Sequence, residues 1–373
     1  MANPFAAQTI DDMLKRQYAP SAMQDVSKID APVITSTTAA WQAKFGAFAY
    51  SQLNQRGTVF NLLPKEKHVT SGFRAVTARA TALGSLAGSA DAAALDDTVK
   101  PTWATLTAKP KLVQQSFEIG KIQEYTSQAG DDALDPDGIR QYMGGEFAEH
   151  LDQMICTDAD TLASTKIESI DRVCSATAEA TAGLMTAGDE DIYGIDRSAQ
   201  SWADAQVLHN SGTDRAISKS LLRQLISLTQ TAGANPAGQV FITGPDTAAD
   251  IDGLFDNQVF YPGGVAAAVD RMNESGAGAG TTVGLVAGRV YGIPLYVDTH
   301  VTKDTKSRVY LVDMSKNQDG SNRLAMSVAQ LPTYTEEKNV FVNDRLSTVG
   351  LYTAMMELKC TFLAAQGKLR DLA

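Results

Sequence analysis

Phe60-Asn-Leu-Leu-Pro64 ends an apolar run, and Leu112-Val-Gln-Gln-Ser-Phe-Glu-Ile119 begins a strand-like one. Between them lie mostly Gly, Ala, Ser and Thr, with scattered lysines. Such a composition carries no core of its own. Connections longer than about 15 residues without their own structure are uncommon in compact domains unless they bind something. Asn61 to Gln128 is therefore read as a segment that reaches another molecule.

Its charge agrees with that reading. Residues 61–115 hold seven cations, Lys65, Lys67, Arg74, Arg79, Lys100, Lys109 and Lys111, against four acids, Glu66, Asp91, Asp96 and Asp97. The chain as a whole has a formal charge of −11, so the body beyond residue 115 carries the negative balance. A basic arm on an acidic body predicts self-complementary docking, because opposite potentials steer and orient association.

With 373 residues, 44% of them hydrophobic, the chain can bury a sizeable core in two or three domains or one elaborated domain. No apolar run reaches the roughly 18 residues of a spanning helix. Met1-Ala-Asn-Pro-Phe-Ala-Ala7 lacks the basic and apolar regions of a signal peptide. Cys156, Cys174 and Cys360 are few, odd in number and without Cys-x-x-Cys spacing, and the histidines are four, His68, His150, His209 and His300. This predicts buried thiols rather than a disulfide frame or a cysteine metal site. An acidic isoelectric point near 4.9 argues against a dedicated nucleic-acid binder.

Organisation follows from periodicity. Residues 1–58 form an arm with an aromatic cluster at Trp41, Phe45, Phe48 and Tyr50. Asp135-Pro136-Asp137 supplies a helix start, and Ile139, Met143, Phe147, Leu151, Met154 and Ile155 recur at helical spacing, predicting a helix over 135–162. Its other face is acidic, with Glu146, Glu149, Asp152, Asp158 and Asp160. The Ala/Thr/Asp-rich stretch 163–212 predicts short helices and loops. A helix from Ser218 to near Gly233, a buried strand Gln239–Thr243 and a helix opened by Gly244-Pro245-Asp246 predict an α/β layer. Strands follow at 283–286, 290–297, 308–314 and 324–328. Alternation of Tyr352, Ala354, Met356, Leu358, Cys360 and Phe362 then predicts a half-buried strand with Cys360 in the core.

Enzyme templates fail on spacing. Gly276-Ala-Gly-Ala-Gly280 lacks the Lys-Ser/Thr of a phosphate loop, and Gly84-Ser-Leu-Ala-Gly88 is no nucleophile elbow. Asp298-Thr-His300 could orient an imidazole but has no nucleophile beside it, and is read as an exposed strand end. Asp131, Asp132, Asp135 and Asp137 suit helix capping better than a calcium loop. Asn273-Glu-Ser275 is a glycosylation acceptor with no secretion signal beside it. No catalytic, cofactor-binding or metal residues are assigned.

Taken in order, the parts resemble the major capsid proteins of tailed bacterial or archaeal double-stranded DNA viruses, the Hong Kong 97 fold family. The residues that carry the resemblance are Val290-Tyr-Gly-Ile-Pro-Leu-Tyr-Val297, similar to a Gly-Ile-Pro strand of that family, and Asp344-Arg-Leu before the last strand. The resemblance implies an α+β capsid fold: an N-terminal arm (1–58), an extended loop (59–118), a peripheral domain (119–212) with spine helix 135–162, an axial α/β domain (213–332) and returning peripheral strands (333–373). The stretch 163–212 departs from the compact form of the family.

The resemblance further implies a structural, non-enzymatic protein without cofactors. It would assemble with itself into pentamers and hexamers of an icosahedral shell, in the host cytoplasm, around double-stranded DNA contacted without sequence preference. A separate scaffolding protein and a portal are expected as partners, and no membrane. Lys65, Lys67, Arg74, Arg79, Lys100, Lys109 and Lys111 are expected to meet acidic surface on the next subunit, including Glu146, Glu149 and Asp152. The alternatives are an encapsulin-like compartment of the same fold, a surface-layer or tail structural protein, and a cytoplasmic α/β enzyme using Asp298 and His300.

Overall fold

The computed structural model describes residues 58–69, 72–78, 80, 99–127, 136–157, 165–256, 285–317, 319–338 and 346–373. The aromatic cluster of the N-terminal arm, Arg79, the Asp131–Asp135 group, Asp158, Asp160, the Asn273 acceptor, the Gly-rich run 276–280 and Asp344 lie outside the described residues.

In chain order the elements are helix α1 (Thr58–Leu62), strands β1 (Lys65–Lys67), β2 (Gly72–Ala78), β3 (Thr102–Thr107) and β4 (Lys111–Gly120), and helices α2 (Lys121–Ser127), α3 (Pro136–Cys156), α4 (Ile170–Val173) and α5 (Thr177–Thr181). Strand β5 (Gln206–Leu208), helix α6 (Lys219–Thr231), strand β6 (Gln239–Thr243), helix α7 (Pro245–Asp256) and strands β7 (Leu285–Val290), β8 (Ile293–Val297), β9 (Val309–Asp313), β10 (Leu324–Glu337), β11 (Ser347–Cys360) and β12 (Gly367–Leu369) follow. The chain divides into two compact units.

The larger unit takes in 56–113, 148–331 and 355–373. Its centre is a six-stranded sheet of order β5-β12-β9-β6-β8-β7. β6 runs parallel to β8 and antiparallel to β9. Every residue of β6 and β9 is buried, as expected of strands covered on both faces. Ser218 caps α6 by accepting from Leu221 N at 3.3 Å, and Leu222 and Leu225, three apart, face the core with Ile251 and Phe255 of α7 against Phe241, Leu295 and Leu311. Gly244 is required between β6 and α7, since a Cβ there would sit 2.0 Å from Ser307 Oγ. The β7–β8 hairpin turns through Tyr291 and Gly292, both at positive φ, as a twist-matched two-residue turn needs.

Buried charge explains the stretch 163–212. Asp171 accepts from Lys368 Nζ at 3.2 Å, Arg308 Nη1 at 2.9 Å and the Tyr310 hydroxyl at 2.8 Å. Glu179 takes Lys368 at 2.8 Å and Arg370 at 2.8 Å. Helices α4 and α5 thus carry the anions that receive the cations of β12 and the residue after it. Gly367–Leu369 pairs with β5 and β9, so this segment belongs to the six-stranded sheet.

The smaller unit takes in 114–147 and 332–354 among described residues. Here four aromatic rings cluster, Phe147 buried and Phe117, Tyr334 and Tyr352 partly so. Phe117 stacks on Tyr334 and Tyr352 at 6.1 Å each, and Phe147 on Tyr352 at 5.8 Å. Gly350 leaves room for the Phe117 ring, which would lie 2.4 Å from an added Cβ. Arg140 donates to the Tyr334 hydroxyl at 3.2 Å and pairs with Glu336.

A four-stranded sheet has the order β1-β10-β11-β4. Strand β10 runs on to Glu337, well past the expected end at Val328, and the expected boundary at 332–333 falls inside it. Pro332 lies beyond Met326–Val328, the part of β10 that β1 covers. Helix α3 ends at Cys156 rather than 162; 158–164 lie outside the described residues.

Lys368 is fully buried, and removing one partner of a buried ion pair costs about 3–5 kcal/mol. Lys368→Met is expected to lower the unfolding free energy by about that amount, read as a lower urea midpoint. Burial alone would raise Asp171, but Lys368 and Arg308 override it and hold its carboxyl well below the ordinary range. Its contribution is therefore present above about pH 4 and lost as pH falls towards the depressed value. Acid titration of urea stability should show this loss.

Candidate assembly surface

Within the stretch read as the extended loop, β2 and β3 form a two-stranded ribbon with two unlike faces. β2 and β3 pair antiparallel, with Phe73 opposite Leu106 and Val76 opposite Trp103. On the inner face Leu106 is buried, and the Phe73 ring meets Tyr193 edge-on at 6.0 Å with Lys359 Nζ 5.6 Å from its centroid. Thr107 N donates to Tyr193 O at 2.8 Å. Alternation puts Arg74, Val76, Trp103 and Thr105 on the opposite face, all exposed. Val76 is 53% and Trp103 58% exposed. An exposed tryptophan beside an aliphatic side chain and an arginine is the composition of an interface anchor. The charge-based reading missed Val76 and Trp103, although the alternation of Thr-Trp-Ala-Thr-Leu-Thr over 102–107 carries the signal.

The expected contact residues separate into groups. Lys67, Arg74, Lys100 and Lys109 are exposed, while Arg79 lies outside the described residues. Lys65 turns back on its own chain, donating to the carbonyls of Phe60 at 2.7 Å and Leu63 at 3.3 Å. Lys111 is held between Glu168 at 3.0 Å and Glu357 at 3.5 Å. Glu146 and Glu149 are half-buried, and Asp152 is buried completely. The expectation of Asp152 on a solvated acidic face is therefore corrected: its carboxylate points inward because it serves a backbone amide.

That amide belongs to α1, at the root of the arm. Phe60 N donates to Asp152 Oδ1 at 2.7 Å, and Val59 N to Asp298 Oδ2 at 3.4 Å. These are donors that a helix start leaves without partners. His300 Nδ1 lies 3.3 Å from Asp152 Oδ2 and 3.2 Å from Asp298 Oδ1, and its Nε2 lies 3.4 Å from Glu149 Oε1. Hydrogen bonds to Asp152 and Asp298 raise His300 to about 10. Burial pushes Asp152 up to about 6, whereas at Asp298 the bonds from His300 outweigh burial and hold the carboxyl low. Asp298 is 2% exposed, so the Asp298–His300 pair is no exposed strand end. It serves as a clamp on α1.

Three solved structures share this architecture. A chain of the cyanophage A-1(L) capsid asymmetric unit is 16% identical with a TM-score of 0.62, covering 90% of this chain and 98% of that one. The capsid of an empty GTA particle gives 12%, 0.56, 91% and 99%. A chain from Mycobacterium phage Che8 gives 11%, 0.51, 88% and 96%. The chain has a phage capsid fold. The sequence matches no family model and no curated protein. No described helix of this capsid fold is long and apolar enough to cross a membrane.

Where the capsid-fold arm rejoins the body, Lys111 faces a second buried acid. Burial pushes Glu357 up to about 7 even with Lys111 beside it. A raised carboxyl favours the folded state at low pH, and that advantage is lost as pH rises through about 7. Glu357→Gln keeps an acceptor for Glu168 N, 2.7 Å from Oε1. It is expected to gain about 1–3 kcal/mol at pH 8 and almost nothing at pH 4, measured by urea unfolding at the two values.

Proposed function

We propose that the chain is the repeating subunit of an icosahedral shell of a tailed double-stranded DNA virus, assembling with itself into pentamers and hexamers. The observation that carries this reading is the capsid fold over about nine-tenths of the chain, joined to a hairpin whose outer face leaves Val76 and Trp103 in solvent. A subunit that closes a ring by head-to-tail contacts needs a surface of this kind.

In this reading the hairpin lies on a neighbouring copy. Trp103 and Val76 supply the apolar anchor, and Arg74, Lys67, Lys100 and Lys109, with Arg79, supply a cationic rim against acids such as Glu146 and Glu149. Lys65, Lys111 and Asp152 act within their own subunit. Shell formation is a matter of geometry and summed weak contacts, with no chemical step; a scaffolding protein and a portal complete the assembly. DNA inside would be met without sequence preference, as an acidic chain suits. The enzyme reading loses ground because Asp298 and His300 are engaged in holding α1.

Electron microscopy of the purified chain across a salt series tests this: closed shells or ring-shaped capsomers are expected, and a small monodisperse oligomer under every condition would refute it. Nucleic acid inside purified shells separates a genome container from a protein-cargo compartment. Reversing Arg74, Lys100 and Lys109 to Glu is expected to abolish shells while leaving the thermal unfolding of the free subunit unchanged. Trp103→Ala should reduce assembly at least tenfold at equal concentration, since truncating a central anchor costs about 2 kcal/mol or more.

A further inference from the structure

Beneath the root of the arm, the clamp on α1 contains a second set of donors. Asp152 and Cys156 are four residues apart near the end of α3, on one face of the helix, and Asp298 follows β8. One ligand atom from each, two carboxylate oxygens and the Cys156 Sγ, lie within 4.8 Å of one another, and all three residues are buried. Cys156 is 1% exposed. Its carbonyl receives Thr302 Oγ1, but among the described residues its thiol has no hydrogen-bond partner. A buried thiol aimed at two carboxylates, with nothing donating to it, is unexplained by the clamp alone.

We propose that Asp152, Cys156 and Asp298 bind one divalent transition-metal ion of the zinc class. Each aspartate spends one oxygen on α1, Asp152 Oδ1 on Phe60 N and Asp298 Oδ2 on Val59 N. The other oxygens, Asp152 Oδ2 and Asp298 Oδ1, are the pair that face His300 Nδ1, at 3.3 and 3.2 Å. Ligand atoms of a tetrahedral zinc site lie roughly 3.3–3.8 Å apart, so three atoms within 4.8 Å of one another need to draw in only a little to meet one ion.

Donor chemistry selects the class. A thiolate beside carboxylates suits zinc, whereas calcium and magnesium take oxygen ligands and more of them. The ion enters with two positive charges, and one proton leaves the Cys156 thiol to solvent. Two carboxylates and the thiolate set three negative charges against the ion's two, so the dication is offset within the buried cluster. The bound ion would tie the end of α3, the start of α1 and the turn after β8 into one rigid root for the arm.

The test uses the full chain, purified with a chelator and then titrated with Co²⁺ and Zn²⁺. Expected are one Co²⁺ per chain, intense visible bands of four-coordination and a thiolate-to-cobalt charge-transfer band, all displaced by Zn²⁺. Cys156→Ser should abolish the charge-transfer band and weaken Zn²⁺ binding at least tenfold, while Cys174→Ser leaves both intact. Absence of stoichiometric Co²⁺ uptake by the folded unmodified chain overturns the proposal, and so does a charge-transfer band that survives in Cys156→Ser. Should that variant fail to fold, the same titration of Asp298→Asn decides, with unchanged Zn²⁺ affinity counting against the site.

Discussion

Two backbone amides at the start of a five-residue helix set much of this structure. Val59 and Phe60 begin α1, which is too short to hold its own position, and their N–H groups have no partners within the helix. Asp298 and Asp152 accept from them. Burying two carboxylates for this purpose requires a nearby cation, and His300 stands within 3.3 Å of both. The root of the extended arm is therefore fixed by hydrogen bonds to two segments distant in sequence, and the hairpin that follows inherits its starting point from them.

The same economy of buried charge governs the end of the chain. Lys368 and Arg370 would be intolerable inside a sheet without acids, and α4 and α5 deliver Asp171 and Glu179 to them. Such pairs add little net stability over apolar replacements, but leaving one partner alone is severe. Their effect is to admit one arrangement of β12 and to penalise alternatives. The Ala/Thr-rich stretch 163–212 thus has a physical task within the chain.

Outward, the hairpin shows the opposite pattern. Its inner face is spent on Tyr193 and the body, while its outer face keeps Val76 and Trp103 in water. A large aromatic left exposed on a two-stranded ribbon, with Arg74 beside it, is what the proposed self-assembly requires.

Periodicity alone was enough for the elements whose stability is local or whose faces are uniform. Helix α6 with its Ser218 cap, β6 at Gln239–Thr243, α7 opened by Gly244-Pro245, and the burial of Cys360 were all legible, because apolar spacing and capping chemistry act over a few residues. The α+β capsid fold was legible in the same way, from the succession of such elements. The fate of polar side chains was not. Asp152 sits on the acidic stripe of α3 in sequence, yet it is buried because Phe60 N, 92 positions away, needs it. Lys111 counts as an arm cation, yet Glu168 and Glu357 keep it at home. Sequence by itself determined which segments become helix, strand or arm, since those choices follow from local spacing. Only the tertiary structure decided which charges are inside, because the free energy of a buried charge depends on partners brought together by the fold.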